Sequence, residues 1–232
     1  NALKVVGKDI AEVSVVISGA GAGGMGVATL LLVAGVKKMT MLDSKGIIAV
    51  GREGMNRYKD ELAGRINPNG KTGSLADALS GADVFIGVSQ PGIVSQEMVR
   101  SMAPSAIIFA MANPVPEIMP EEAHAAGAAV VATGRSDFPN QVNNVLSFPG
   151  IFKGALEGRL RKITPVMRLA AASALAGMVN EPTAGKILPS PLDPGVADVV
   201  SAAVRGAALL LYTRQVPHNV GGSAWGLQSE QC

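Results

Sequence analysis

The chain has 232 residues, 48% hydrophobic and 16% charged, which is too apolar for disorder over most of its length and enough for one or two domains. Lys and Arg number 20 against 18 Asp and Glu, a formal charge of +2. So small an excess cannot build a phosphate-tracking surface, and nucleic acid is excluded as the main partner. The single cysteine, Cys232, and the two histidines, His124 and His218, exclude an intrachain disulfide and a zinc site made only of His and Cys. They suit a reducing, cytoplasmic setting.

Ala2 to Val6 reads as the last turns of a helix, closed by Gly7 in the left-handed position that ends helices. No beginning of that helix is present, so the chain is expected to start inside a larger protein. No charged segment followed by an apolar one marks a signal peptide. From Val13 to Val36 there is no charged residue, which exceeds the roughly 20 residues a membrane helix needs. However, Gly19, Gly21, Gly23, Gly24 and Gly26 interrupt the run, and glycine is poorly tolerated inside helices. The better parse is a strand over Val13–Ser18, a glycine turn, and a helix over Met25–Ala34; no membrane span is expected.

A second strand, Lys38–Leu42, ends at Asp43. A polar stretch from Ser44 to Gly73 holds a helix around Met55 to Ala63, and Ser74–Leu79 reads as a short capped helix stopped by Gly81. Strands follow at Val84–Val88, Ala106–Met111 and Ala128–Ala132, separated by helices at Gln96–Met102 and Pro120–Ala126. Five strands alternating with helices predict a parallel sheet with right-handed crossovers. Few aromatics (3%) and 28 glycines suit helices packed closely on such a sheet. Beyond Gly134 the pattern is helical: Val145–Glu157, Pro165–Val179 and Pro194–Tyr212. The fold expected is α/β, a Rossmann-like doubly wound, mostly parallel sheet with a helical C-terminal extension. One domain covers residues 1–212, and residues 213–232 form a loosely ordered tail.

Gly19-Ala20-Gly21-Ala22-Gly23-Gly24 satisfies G-x-G-x-x-G directly after a strand and before a helix. The first glycine permits the tight turn, the second lets backbone approach a pyrophosphate, and the third lets the helix pack on the strand. The helix N-terminus then offers N–H groups to the phosphates. Asp43 stands near the distance, roughly 20 residues on, at which a carboxylate meets the ribose hydroxyls. That favours NAD, although Ser44 and Lys45 follow at once and the lysine could neutralise a 2′-phosphate, so NADP stays open. A nucleotide-free domain in which Asp43 caps a turn is the bland alternative.

Strand ends at Ser89-Gln90-Pro91-Gly92, Asn113-Pro114 and Gly134 to Asn144 should converge on the ligand crevice. Asparagine is apt there because its amide both donates and accepts; the bland alternative for Asn113 is a turn residue before proline. A hydroxy-acid dehydrogenase also needs a base and a group to polarise the carbonyl. His124 reads as solvated on a helix, and Arg135, Asp137 and Lys153 make no base pair by spacing. No catalytic residue and no metal ligand is therefore assigned.

Thr133-Gly134-Arg135-Ser136-Asp137-Phe138-Pro139-Asn140-Gln141-Val142-Asn143-Asn144, continued by Phe148-Pro149-Gly150-Ile151-Phe152, resembles the C-terminal, NAD(P)-binding domain of bacterial malic enzymes. Asp43-Ser44-Lys45-Gly46 and Leu188 to Pro194 add to the resemblance, which runs from Asn1 to about Leu210. It implies oxidation of malate at C2, hydride transfer to NAD or NADP, and decarboxylation to pyruvate with Mg2+ or Mn2+. It puts the dinucleotide on Gly19 to Gly24, Asp43, Ser44, Lys45, Ser89 and Asn113, and malate or pyruvate on Asn113 and Asn143. It also implies a cytoplasmic homo-oligomer, a dimer of the full-length protein. The family's catalytic lysine and tyrosine and its metal ligands match no position here and are expected in a preceding domain. Two alternatives remain: a non-catalytic dinucleotide-binding or assembly module, or another two-domain dehydrogenase, malolactic or amino-acid specific.

Overall fold

A computed structural model describes residues 1–215, with side chains through 210. In chain order the elements are α1 (Ala2–Val6), β1 (Ser14–Ser18), α2 (Ala22–Val33), β2 (Lys38–Asp43), β3 (Gly46–Ile47), α3 (Arg57–Ile66) and α4 (Leu75–Leu79). Then come β4 (Val84–Gly87), α5 (Gln96–Arg100), β5 (Ile107–Ala110), α6 (Pro120–Ala125) and β6 (Val130–Thr133). A 3-10 turn at Asn144–Leu146 leads into α7 (Phe148–Glu157), α8 (Pro165–Gly177) and α9 (Val196–Gln215). The sheet order is β3-β2-β1-β4-β5-β6. All pairings are parallel except β2 with β3.

Alternation along each strand sends successive side chains to opposite faces, and both faces are covered. Val15 and Ile17, Met39 and Met41, Val84 and Ile86, and Val130 and Ala132 share one core with Ala28 of α2 and Leu62 and Ala63 of α3. Val16, Leu42, Phe85, Ile108 and Val131 enter a second core with Leu79 of α4, Val99 of α5 and Ala123 of α6. Strands buried on both sides need no polar face, so these read as continuous apolar runs. Local signals set the helix starts. Asn56 Oδ1 accepts the Lys59 N–H at 2.9 Å; Ser74 and Asp77 form a reciprocal capping box; and Thr164 caps α8 ahead of Pro165.

Two glycines set where α2 begins. Gly19 leaves β1 at φ +114°, where a Cβ would lie 2.5 Å from the Val88 carbonyl oxygen. Gly24, one turn into α2, lies so close to β1 that a Cβ would come within 1.9 Å of the Gly19 carbonyl oxygen. Similar reasoning explains the helical layer. Gly150 and Gly154 of α7 face α9, where added Cβ atoms would sit 2.5 Å from Val200 Cβ and 2.7 Å from the Ser201 carbonyl oxygen.

The expected doubly wound sheet with its helical extension is present. Four local expectations differ. α2 begins at Ala22, inside the glycine run, rather than at Met25. The sheet gains β3, too short to carry a period-2 signal. The helix expected over Val145–Glu157 is broken at Ser147 into the 3-10 turn, whose start the Asn143 side chain caps by accepting the Val145 N–H at 3.0 Å, and α7, because Pro149 in the first turn of α7 has no N–H to continue a helix from the turn before it. The last helix runs to Gln215 rather than Tyr212; the rest of the expected tail, with His218 and Cys232, lies outside the described residues. Among those described, no helix is long and apolar enough to cross a membrane.

Gly24→Ala should therefore destabilise the domain by about 1–3 kcal/mol, the usual cost of overpacking. The reason is that its new methyl meets backbone rather than a movable side chain. Urea denaturation of parent and variant checks this, and an unchanged midpoint would show that α2 can retreat from β1.

Candidate functional site

The chain proceeds from β1 to β2 on one side and then crosses to β4 on the other, so the sheet reverses direction between β1 and β4. Outside the carboxyl ends of strands at such a point, doubly wound sheets form a crevice. A cleft of about 970 Å³ lies there, lined by Ser18, Gly19, Ala20 and Gly21 from the first turn. The end of β2 adds Asp43, Ser44 and Lys45, α3 adds Lys59, and the loop after β4 adds Ser89 and Gln90.

Gly21 is the N-cap of α2, at φ −85° and ψ −172°. A Cβ at Gly21 or Gly23 would meet nothing within 4 Å. The first intrahelical bond is Met25 N–H to the Gly21 carbonyl, 2.9 Å, so the N–H groups of Ala22, Gly23 and Gly24 have no partner along the helix. Donors, a positive helix end and bare backbone at the cleft edge make an anion cradle. Of the six loop residues singled out in the sequence, Gly19, Ala20 and Gly21 line the cleft. Ala22 and Gly23 start the helix, and Gly24 acts through packing.

Asp43 ends β2 and is held on both oxygens. Its Oδ1 accepts the Lys45 N–H at 3.0 Å, and its Oδ2 takes Arg52 Nη2 at 2.5 Å and Lys59 Nζ at 2.7 Å. Its side chain is only 13% exposed. Partial burial pushes its carboxyl up, but the hydrogen bonds from Arg52, Lys59 and Lys45 outweigh that and hold it well below the usual carboxylate range. Arg52 also donates to the Gly46 and Ile47 carbonyls, which ties down the β2–β3 hairpin. The turn-capping role of Asp43 and a place at the cleft thus coexist. Arg52 and Lys59 were not anticipated, because their distance along the chain from Asp43 follows no periodicity.

A second pocket, about 570 Å³, adjoins the ends of β5 and β6. Asn113, Gly134, Asn143 and Asn144 line it together with Leu175 and Leu188. Asn113, preceding Pro114 across a cis peptide, donates weakly to the Met111 carbonyl at 3.4 Å and lies against Gly134. The amide oxygen of Asn143 is used on the Val145 N–H, which leaves its NH2 group as the donor for a ligand. Asn113 and Asn143 are therefore brought together as the sequence suggested, while Ser89 and Asp43 stand in the first cleft.

Other polar residues are committed elsewhere. Arg135 pairs with Asp137 and donates to the Pro114 carbonyl. Lys153 bridges α7 to Asp198 of α9 at 2.5 Å, which takes it out of the crevice. His124 is exposed and meets the Ala128 carbonyl ahead of β6, at the sheet end away from both pockets. Among the described residues, no group of three or more His, Cys, Asp or Glu could hold a metal ion.

The family described as malic enzyme, NAD binding domain, matches residues 1–208. The chain belongs to that family. The bifunctional malic/malolactic enzyme of Bacillus subtilis is 54% identical to it over 212 residues, 90% of this chain and 52% of that protein. The NAD-dependent malic enzyme of Geobacillus stearothermophilus is 49% identical over 210 residues, covering 90% and 44%. The crystal structure of Entamoeba histolytica malic enzyme superposes with a TM-score of 0.87 at 44% identity, covering 91% of this chain and 46% of that one. Other matching malic enzymes are named NADP-dependent. The chain spans about half the length of the curated relatives it matches.

Within this malic enzyme domain the ion cluster at Asp43 has a pH signature. A carboxylate whose pKa is depressed by folding adds stability above its unfolded pKa, near 3.8, and loses it as pH falls through the folded value. Asp43→Asn should cost about 1–3 kcal/mol at pH 7, and the gap to the parent should narrow below about pH 4. Urea denaturation from pH 7 to pH 3 reads this; a constant gap would mean that the cations do not hold the carboxylate.

Proposed function

We propose that this chain is the coenzyme-binding half of a malic enzyme that oxidises malate, decarboxylates the product to pyruvate and reduces NAD+ or NADP+. The observation that carries this reading is the cleft at the β1/β4 reversal, with the first turn of α2 open towards it in a chain of this family. The diphosphate would sit at Gly19 to Gly24, its charge met by the free N–H groups and the helix end. The adenosine ribose would lie beside Asp43, Ser44 and Lys45. Bound NAD(P)+ would supply the hydride acceptor; the protein's part is to orient it and exclude water.

Coenzyme choice turns on Asp43. Its carboxylate suits a free ribose 2′-hydroxyl and repels a phosphate, so NAD is the preferred coenzyme in this reading. Lys45 and Lys59 line the same cleft and lessen that repulsion, so NADP remains a weaker ligand.

Malate would occupy the second pocket, where the Asn143 NH2 group can donate to a carboxylate and the Asn113 amide to the C2 oxygen or the coenzyme. That pocket presents no carboxylate, lysine or histidine among its lining residues. The described residues also do not fit an Mg2+ or Mn2+ site. We assign the base and the metal ligands to the part of the parent protein preceding this domain. The reading extends to a cytoplasmic homo-oligomer, a dimer, for which the exposed ridge of Phe148, Phe152 and Leu156 supplies apolar surface. A purely non-catalytic module is disfavoured by the family.

Titration with NAD and NADP tests the cleft. Gly21→Val, whose side chain enters open space, should keep the fold and weaken NAD binding at least about tenfold, because it occupies the backbone approach to the diphosphate. Asp43→Asn should shift preference towards NADP. Equal NAD curves for Gly21→Val and the parent would overturn the assignment. With malate and Mn2+, the 232-residue chain should form no detectable NAD(P)H or pyruvate, since loss of acid–base help alone costs about 10²–10⁴-fold. Robust turnover would place the base within this chain.

A further inference from the structure

Glu117 is fully buried, yet none of the ion pairs among the described residues includes it. It lies in the loop between β5 and α6, flanked by Pro116 and Ile118. Three donors converge on its carboxylate. Oε1 accepts the Ser89 N–H at 2.9 Å and the Ser89 hydroxyl at 3.3 Å, and Oε2 accepts the Ala112 N–H at 2.9 Å. A set made only of donors matches an acceptor-only carboxylate. Room for it is made by Gly87, where a Cβ would fall 2.3 Å from Glu117 Cδ. The Glu117 carbonyl accepts the Val94 N–H and the Pro116 carbonyl the Gly92 N–H, both at 3.0 Å. The loop after β4 is thereby clamped onto the loop after β5.

The Ser89 hydroxyl lies 3.1 Å from that of Ser18, and both serines line the large cleft. A carboxylate cannot donate, so in the Ser89–Glu117 bond the proton of the Ser89 hydroxyl points at Glu117. The Ser18 hydroxyl then donates to Ser89, and the remaining lone pairs of the two serine oxygens are left for a ligand. We propose that Glu117 is a positioning residue for the coenzyme. It fixes the direction of the Ser89–Ser18 hydroxyl chain so that the cleft wall presents acceptors, matched to hydroxyl or amide N–H groups on the dinucleotide. The proposal rests on the reading of that cleft as the dinucleotide site. The geometry also places Asn113 one residue after Ala112, so the same carboxylate links the β4 loop of the cleft to the strand end that carries the second pocket.

A double-mutant cycle on coenzyme binding by the 232-residue chain tests this. Glu117→Gln keeps the shape but must turn its NH2 group on one of the N–H donors it now accepts from; Ser89→Ala removes only the hydroxyl. Each should weaken NAD binding about tenfold. The double variant should be no weaker than the worse single one, because without the hydroxyl there is nothing left to orient. Glu117→Asp, which keeps the charge and withdraws the acceptor, serves in the same cycle where Glu117→Gln does not fold. Additive losses, approaching a hundredfold, would overturn the proposal with the cleft assignment intact, since Glu117 would then act only on general packing. Failure of the parent chain to bind NAD or NADP would overturn the cleft assignment and this inference with it.

Discussion

The close approach of α2 to the end of β1 is the constraint on which the site depends. Gly24 and the Gly19 carbonyl leave no space for a single methyl group, and that contact aims the N-terminus of α2 at the point where the sheet reverses. A helix end carries roughly half a positive charge whose influence fades within a turn. Displacing α2 by the width of a side chain would therefore weaken both the field and the reach of its N–H groups. Around Gly21 and Gly23, by contrast, an added Cβ would meet nothing within 4 Å.

Much of this was legible in the sequence, and the reasons are local. Val13 to Ser18, the glycine run and Met25 to Ala34 each carry their own signal, and the strand–turn–helix order leaves little freedom for a parallel crossover. Ser74 with Asp77, and Gly7 after Val6, announced their caps directly. What could not be read was pairing across the chain. Lys59 reaches Asp43 from α3, and Arg52 from the loop before it, only because the β2–β3 hairpin folds back. Glu117 could have attracted notice as a lone acid among Val115, Pro116 and Ile118, but its partners Ser89 and Ala112 meet it only once β4 and β5 are neighbours. The short β3 and the break at Ser147 were beyond periodicity, since two residues carry no period and Pro149 acts at one position.

The two acids near the cleft illustrate opposite ways of keeping a carboxylate in a protein. Asp43 is partly buried and offset by two cations, an arrangement whose strength depends on pH. Glu117 is wholly buried and is met by backbone N–H groups and a hydroxyl. Those donors sit on the loops that leave β4 and β5, so Glu117 ties the two loops together, whereas Asp43 is met mainly by side-chain charge. Asp43, through Arg52, is tied to the backbone of the β2–β3 hairpin. An acid that must hold loops in register belongs with the backbone.

The helical extension bears on the site for a further reason. The second pocket takes Asn113 and Gly134 from the strand ends but Leu175 and Leu188 from the helical layer. Asn140 joins the two. At φ +57° and buried, it donates to the Val131 and Ala184 carbonyls and accepts the Ile187 N–H. Its three bonds all go to backbone, and two residues on the Val142 N–H meets the Thr133 carbonyl at 2.7 Å, just before Asn143. The position of the Asn143 amide is thus set jointly by β6 and by the segment before α9. Gly150 and Gly154 let α7 settle against α9, so that the layer bearing on the pocket is itself closely packed. A sheet of this topology without its extension would retain the large cleft and lose the Leu175 and Leu188 wall of the second pocket, so the extension shapes that pocket as much as the strand ends do.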